Sequence, residues 1–127
     1  FRSLVDAMRL CADIAPRVHD PATARELGRC AAELDGLWAL TKRNISQSAR
    51  GTVGPGAMVI KLAYTEARQR FGELCLRILE RDALHVEDNE PVEERLRTLA
   101  LTIAAGSSQI QRNIISERVL GLPREAR

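Results

Sequence analysis

Aromatic side chains are scarce: one tryptophan, one tyrosine and two phenylalanines supply 3% of the 127 residues. So few rings leave no platform on which single-stranded nucleic acid could stack. Neither sign of charge dominates, since 28% of residues are charged and the net charge is +2, too balanced for a surface that tracks phosphates. No nucleic-acid partner is expected. Lysine is nearly absent, Lys42 and Lys61 being the only two, and arginine carries the remaining positive charge. No apolar run approaches the roughly 20 residues of a bilayer span, so no membrane partner is expected. Strand-like alternation, internal repeats and low-complexity tracts are also missing.

Cysteine is sparse and unpatterned. Cys11, Cys30 and Cys75 are odd in number, lie far apart and form no Cys-x-x-Cys pair, so they read as small buried hydrophobes in a reducing compartment. A cytoplasmic location is the corresponding expectation. His19 and His85 stand in connecting segments without a partner at ligand spacing, and no metal site is expected. The chain opens at Phe1 without an initiator methionine or a charged-then-apolar leader, which reads as a piece of a longer protein.

What remains is helical periodicity. Leu4, Met8, Cys11 and Ile14 fall on one face of a first helix running from Ser3 to about Ala15. Asp20 then caps a second helix, with Pro21 at the first helical position, where a missing N–H costs nothing. Its stripe is Leu27, Cys30, Ala31, Leu34, Leu37, Trp38 and Ile45, with Thr41 the one polar member of that face. Gly51 and Gly54 end it. Pro55 opens a third helix to about Asp82, with Val59, Leu62, Ala63, Ala67, Phe71, Leu74, Cys75 and Ile78 inward; Lys61 and Glu66 read as solvated charges on it. An acidic connection from His85 to Glu90 leads to Pro91 and a fourth helix, whose predicted inner stripe is Val92, Leu96, Leu99, Ala100 and Ile103. The expected fold is all-α, an up-and-down four-helix bundle with a short additional C-terminal helix.

That last helix follows a loop of small residues, Ala104, Ala105 and Gly106. Ile110, Ile114, Ile115 and Val119 recur at helical spacing after Ser107 and Ser108. Ser108 with Gln111 three positions on fits a capping box, and Gly121 suits the left-handed residue beyond the helix, with Pro123 unable to continue it. A glycine and two hydroxyls at a helix start leave N–H groups and the positive end of the dipole free for an electron-rich ligand edge. The same residues can equally serve as an ordinary cap.

The run Gly106-Ser107-Ser108-Gln109-Ile110-Gln111-Arg112-Asn113-Ile114-Ile115, with Glu117-Arg118-Val119-Leu120-Gly121-Leu122-Pro123-Arg124 after it, resembles the C-terminal signature of acyl-CoA dehydrogenases, Gly-Thr-Ser-Glu-Ile-Gln-Arg-Asn-Ile-Ile. A looser match, Gly54-Pro55-Gly56-Ala57-Met58-Val59-Ile60-Lys61-Leu62 followed by Thr65-Glu66, is similar to the start of the long helix preceding that signature. The resemblance implies that residues 1–127 are the C-terminal helical domain of an FAD-dependent enzyme about three times longer. Such an enzyme removes hydrogens from the α and β carbons of an acyl-CoA thioester. The resemblance further implies electron transfer to an electron-transferring flavoprotein and homo- or hetero-oligomeric assembly as a dimer of dimers.

By the same resemblance, Gly106, Ser107, Ser108 and Gln109 are the FAD-binding residues. The usual glutamate base has Ala105 in its place, so no catalytic residue is expected within this chain; some branches of the family carry the base on an earlier helix. Two further family elements are replaced: an Arg-x-x-Phe-Gly motif by the stretch from Pro16 to Pro21, and a glycine pair after the third helix by Glu80-Arg81-Asp82. A non-catalytic structural subunit supporting a competent partner is therefore the alternative expectation.

Overall fold

The computed structural model describes residues 2–52, 54–84, 90–104 and 106–124. His85 and most of the acidic connection lie outside the described residues, as does Ala105. Five helices follow one another: α1 Arg2–Ile14, α2 Pro21–Ala49, α3 Gly56–Leu79, α4 Glu90–Leu101 and α5 Ser108–Arg118. Short 3-10 turns, Ala15–Arg17 and Glu80–Leu84, follow α1 and α3. No strand occurs among the described residues.

Local chemistry sets the boundaries. The Asp20 carboxylate accepts the N–H groups of Ala22 at 3.0 Å and Thr23 at 2.9 Å, with Pro21 inside the first turn as expected. Hydrogen bonds from Thr23, then Ala22, hold its carboxyl below the usual carboxylate range. At the far end of α2 the chain turns through Gly51 at φ +75°, and both the N–H and the hydroxyl of Thr52 close on the Gln47 carbonyl at 3.0 Å. Helix α3 ends differently. Glu80 takes φ +47° and ψ −121°, a backbone state that costs a residue with a Cβ about 1–3 kcal/mol. It stands where the resemblance expects a glycine pair.

The core is built by α1, α2 and α3. Leu4, Ala7, Cys11 and Ile14 pack against Leu27, Cys30, Leu34 and Leu37, and both sets meet Ala67, Phe71, Leu74 and Cys75. Ion pairs give the helix directions: Glu26 pairs with Arg77 at 2.5 Å and Glu33 with Arg70, so descending α2 means ascending α3, and the two are antiparallel. Helix α3 also carries α4 and α5, which among the described residues pack on it far more than on each other.

Two faces depart from the expected stripes. Ile45 near the end of α2 is 48% exposed, because the core closes at Leu37 and Thr41. Helix α4 is turned over: Leu96, Leu99 and Ile103 are 61%, 41% and 74% exposed, while Glu94 and Thr98 are buried. The inner stripe expected for α4 is thus its outer one. The reason is Arg68 of α3, 1% exposed, whose guanidinium donates to the Glu94 carboxylate from Nε at 2.5 Å and again from Nη2. A buried cation must be paired, and this pairing fixes which side of α4 faces inward.

All three thiols are buried. Burial pushes each of them up, Cys75 to about 12, so the neutral form of Cys75 persists through the alkaline range in which an unfolded thiol ionises. Iodoacetamide at pH 9 should therefore leave the folded protein unlabelled and modify all three cysteines once guanidinium is added. Labelling of Cys75 without denaturant, read by peptide mass, would contradict the sealed core.

Candidate functional site at the start of α5

The chain turns into α5 at Gly106, whose φ of +95° is left-handed. The backbone therefore favours glycine, while a Cβ there would stand 2.9 Å from Nε2 of Gln111, the far end of a side chain that can move aside. Ser107 follows in extended conformation, φ −60° and ψ 161°. Its Oγ accepts the Ile110 N–H at 3.4 Å, and its carbonyl accepts the first intrahelical bond, from the Gln111 N–H at 2.9 Å.

The cap is therefore Ser107, and Ser108 is already the first helical residue. The expected capping box on Ser108 and Gln111 is one position out of register. Two adjacent hydroxyls fit either register in a sequence, and the left-handed turn at Gly106 starts the helix one residue earlier. At the other end, Gly121 has φ +67°, as expected, and Leu122 N–H returns to the Ser116 carbonyl at 2.9 Å.

Helix α3 holds this corner at three points. Lys61 Nζ donates to the Gly106 carbonyl at 2.6 Å. Glu66 pairs with Arg112 of α5 at 2.5 Å, and Gln69 Nε2 donates to Thr102 Oγ1 at 3.0 Å. Lys61 and Glu66 are thus fasteners, where the sequence reading treats them as solvated charges. One sign was available in the sequence: Lys61 lies between Ile60 and Leu62, on a helix with few charges in its first two turns.

Between α3 and the start of α5 lies a cleft of about 430 Å³. Ser107, Ser108 and Gln109 line one wall, and the polar residues of α3 from Glu66 to Glu73 line the other. All three hydrogen-bonding residues predicted for the site are brought together there, with Gly106 shaping the turn beside them. The N–H groups of Ser108 and Gln109 have no acceptor within the helix. Gln109 Oε1 accepts from Arg112 at 3.4 Å.

Arginines near the cleft are already paired, Arg70 to Glu33 and Arg112 to Glu66. What the corner presents is therefore hydroxyls, an amide and first-turn N–H groups at the positive end of a helix dipole. That donor set fits the carbonyl and phosphate acceptors of a flavin nucleotide. A larger groove of about 560 Å³ between α1 and α2, bordered by Met8, Ala12, Ala24, Leu27 and Gly28, offers almost no such donors. No group of three or more metal-ligating side chains occurs among the described residues, and His19 is exposed.

Comparison with known proteins shows the family of the chain. A family model for the acyl-CoA dehydrogenase C-terminal domain matches residues 6–120. Acyl-CoA dehydrogenase IpdE1 of Mycobacterium tuberculosis is 44% identical over 72 residues, covering 54% of this chain and 19% of that protein. Acyl-CoA dehydrogenase FadE34 of the same organism is 39% identical over 88 residues, 68% of this chain and 12% of that one. IpdE1 of Mycolicibacterium smegmatis is 36% identical over 93 residues, 71% of this chain and 22% of that protein. Among solved structures, a "Tcur3481-Tcur3483 steroid ACAD" has the same fold, with a TM-score of 0.76 at 18% identity, covering 98% of this chain and 34% of that one. The chain thus spans less than a quarter of the length of these curated relatives. With a match over nearly its whole length and the signature residues set at one helix start, this chain belongs to the acyl-CoA dehydrogenase family as its C-terminal domain.

Proposed function

We propose that this domain serves an FAD-dependent acyl-CoA dehydrogenase, in which Gly106, Ser107, Ser108 and Gln109 hold the flavin nucleotide. The observation that carries this reading is the open corner at Gly106, where a left-handed turn brings hydroxyls and unpaired first-turn N–H groups to the wall of a cleft. FAD, when bound, supplies the acceptor for the hydride leaving the acyl-CoA substrate. The chain's own contribution is positional. Ser107 caps α5 through its oxygen and keeps its hydrogen for an acceptor, Gln109 extends an amide from the first turn, and Lys61 keeps the Gly106 carbonyl turned inward.

The proton-abstracting carboxylate would come from outside this stretch, since Ala105 stands at its usual place. Electron-transferring flavoprotein is the proposed oxidant, as the resemblance implies. Assembly as a dimer of dimers is supported by the outward stripe of α4. Leu96, Leu99 and Ile103 face water there, apolar surface that another subunit would cover.

In the full-length protein, replacing Ser107 and Gln109 together with alanine should release most of the flavin, read from the absorbance ratio of the purified protein. Helical content should stay unchanged. Undiminished flavin in the double variant would defeat this assignment. The alternative, a structural subunit supporting a competent partner, is favoured by Ala105 in place of the base and by the two replaced family elements, Pro16 to Pro21 and Glu80-Arg81-Asp82; it predicts a colourless protein before any substitution.

A further inference from the structure

The cleft between α3 and the start of α5 has two chemically unlike walls. On the α5 side, the hydroxyls of Ser107 and Ser108, the Gln109 amide and the first-turn N–H groups offer donors. On the α3 side, Glu66, Gln69, Arg70 and Glu73 recur at three- and four-residue steps, so they share one face of the helix. Most of the charge on that face is already engaged: Glu66 pairs with Arg112 at 2.5 Å and Arg70 with Glu33.

Glu73 is the exception. Among the described residues its nearest cation is Arg95 of α4, whose Nη2 lies 3.9 Å away, beyond hydrogen-bond reach. The pairing is loose from the other side as well, because the buried Nη1 of Arg95 has no partner among the described residues. With 67% of its side chain exposed, Glu73 is the carboxylate on this wall left open to a ligand.

A carboxylate accepts hydrogen bonds and cannot donate them, and it repels phosphate. A ligand that spans the cleft must therefore accept at the α5 wall and donate at Glu73. A flavin nucleotide carries both kinds of group, since its phosphate and ring carbonyl oxygens accept while its ribityl chain and ribose bear adjacent hydroxyls that donate. Nucleotide-binding folds set an acidic residue on a ribose hydroxyl for this reason.

We propose that Glu73 is a positioning residue for the cofactor, its carboxylate accepting from sugar hydroxyls of the flavin nucleotide. It thereby fixes which way round the nucleotide lies, with phosphate or carbonyl oxygens toward Ser107, Ser108 and Gln109 and hydroxyls toward α3. The inference rests on the flavin reading above and adds a residue that the C-terminal signature does not contain.

The test titrates the full-length apoprotein and its Glu73→Ala and Glu73→Gln variants with FAD and with two FAD analogues, one built on 2′-deoxyadenosine and one on a 2′-deoxyribityl chain. Glu73→Ala should weaken FAD about five- to twentyfold, less than a sealed charged hydrogen bond would give because this carboxylate is open to water. Glu73→Gln keeps one acceptor oxygen and should lose less. The analogue lacking the contacted hydroxyl should be nearly insensitive to Glu73→Ala, and which analogue behaves so identifies the sugar. Unchanged FAD affinity in Glu73→Ala would overturn the assignment. So would an equal loss for FAD and both analogues, which would make Glu73 a counter-ion for Arg95 and nothing more. Flavin released by the Ser107 and Gln109 double variant but retained by Glu73→Ala defeats this inference alone, whereas a parent protein that takes up no FAD defeats the flavin reading with it.

Discussion

Arg68→Met should destabilise the domain by about 3–5 kcal/mol at neutral pH, the typical penalty for stranding one member of a buried ion pair. The guanidinium is 1% exposed and the Glu94 side chain 8%. Besides its two bonds to Glu94, Arg68 donates to the Ser3 carbonyl and, at 2.9 Å, to Tyr64, with its charge 5.5 Å from the centre of the Tyr64 ring. It therefore ties α1, α3 and α4 at one point. Removing it leaves a carboxylate with no close cation, since Arg97 approaches Glu94 only at 4.0 Å and is 60% exposed. Adding Glu94→Leu to Arg68→Met should recover most of the loss, because an apolar pair of similar volume can replace a buried ion pair at little cost. Urea unfolding of the two single variants and the double variant gives the coupling. A single variant within about 1 kcal/mol of the parent, the scale of an exposed pair, would mean that water reaches this site.

Lys61→Met should weaken FAD binding by about ten- to a hundredfold while leaving far-UV circular dichroism unchanged. The estimate follows from one hydrogen bond to a charged donor, worth about 1.5–3 kcal/mol, with about 1.4 kcal/mol per decade of affinity. Methionine retains the apolar stem beside Ile60 but releases the Gly106 carbonyl, so the turn loses its tether before Ser107. The other lysine is a natural control: Lys42 stands 5.7 Å from the centre of the Trp38 ring on α2, away from the cleft, and Lys42→Met should change nothing. Titration of the apoprotein with FAD separates the cases. Equal affinities for the two variants would show that the corner holds its shape without Lys61.

The parts of this fold legible in the sequence are those set by neighbours in the chain. Asp20 before Pro21, the glycines at 51 and 121 and the Leu4, Cys11 and Ile14 spacing all act within a few residues, and the structure has them as read. Helix α4 was not legible in the same way. Val92, Leu96, Leu99 and Ile103 identify an oily face without saying which way it points, and the answer depends on Arg68, 26 residues before Glu94. The cap of α5 turned on a left-handed Gly106, which two adjacent serines could not announce. Thr41 stood out as the polar member of an apolar stripe, and the structure buries it with that stripe at 6% exposure.

Every other helix leans on α3: α2 along its length, α1 through Ser3 and Tyr64, α4 through Glu94, and α5 through Lys61 and Glu66. The arrangement is a hub with spokes, so there is no subset containing α4 or α5 that could persist once the hub melts. The geometry of the signature corner is thus inherited from the helix that carries Phe71, Leu74 and Cys75, none of which reaches water.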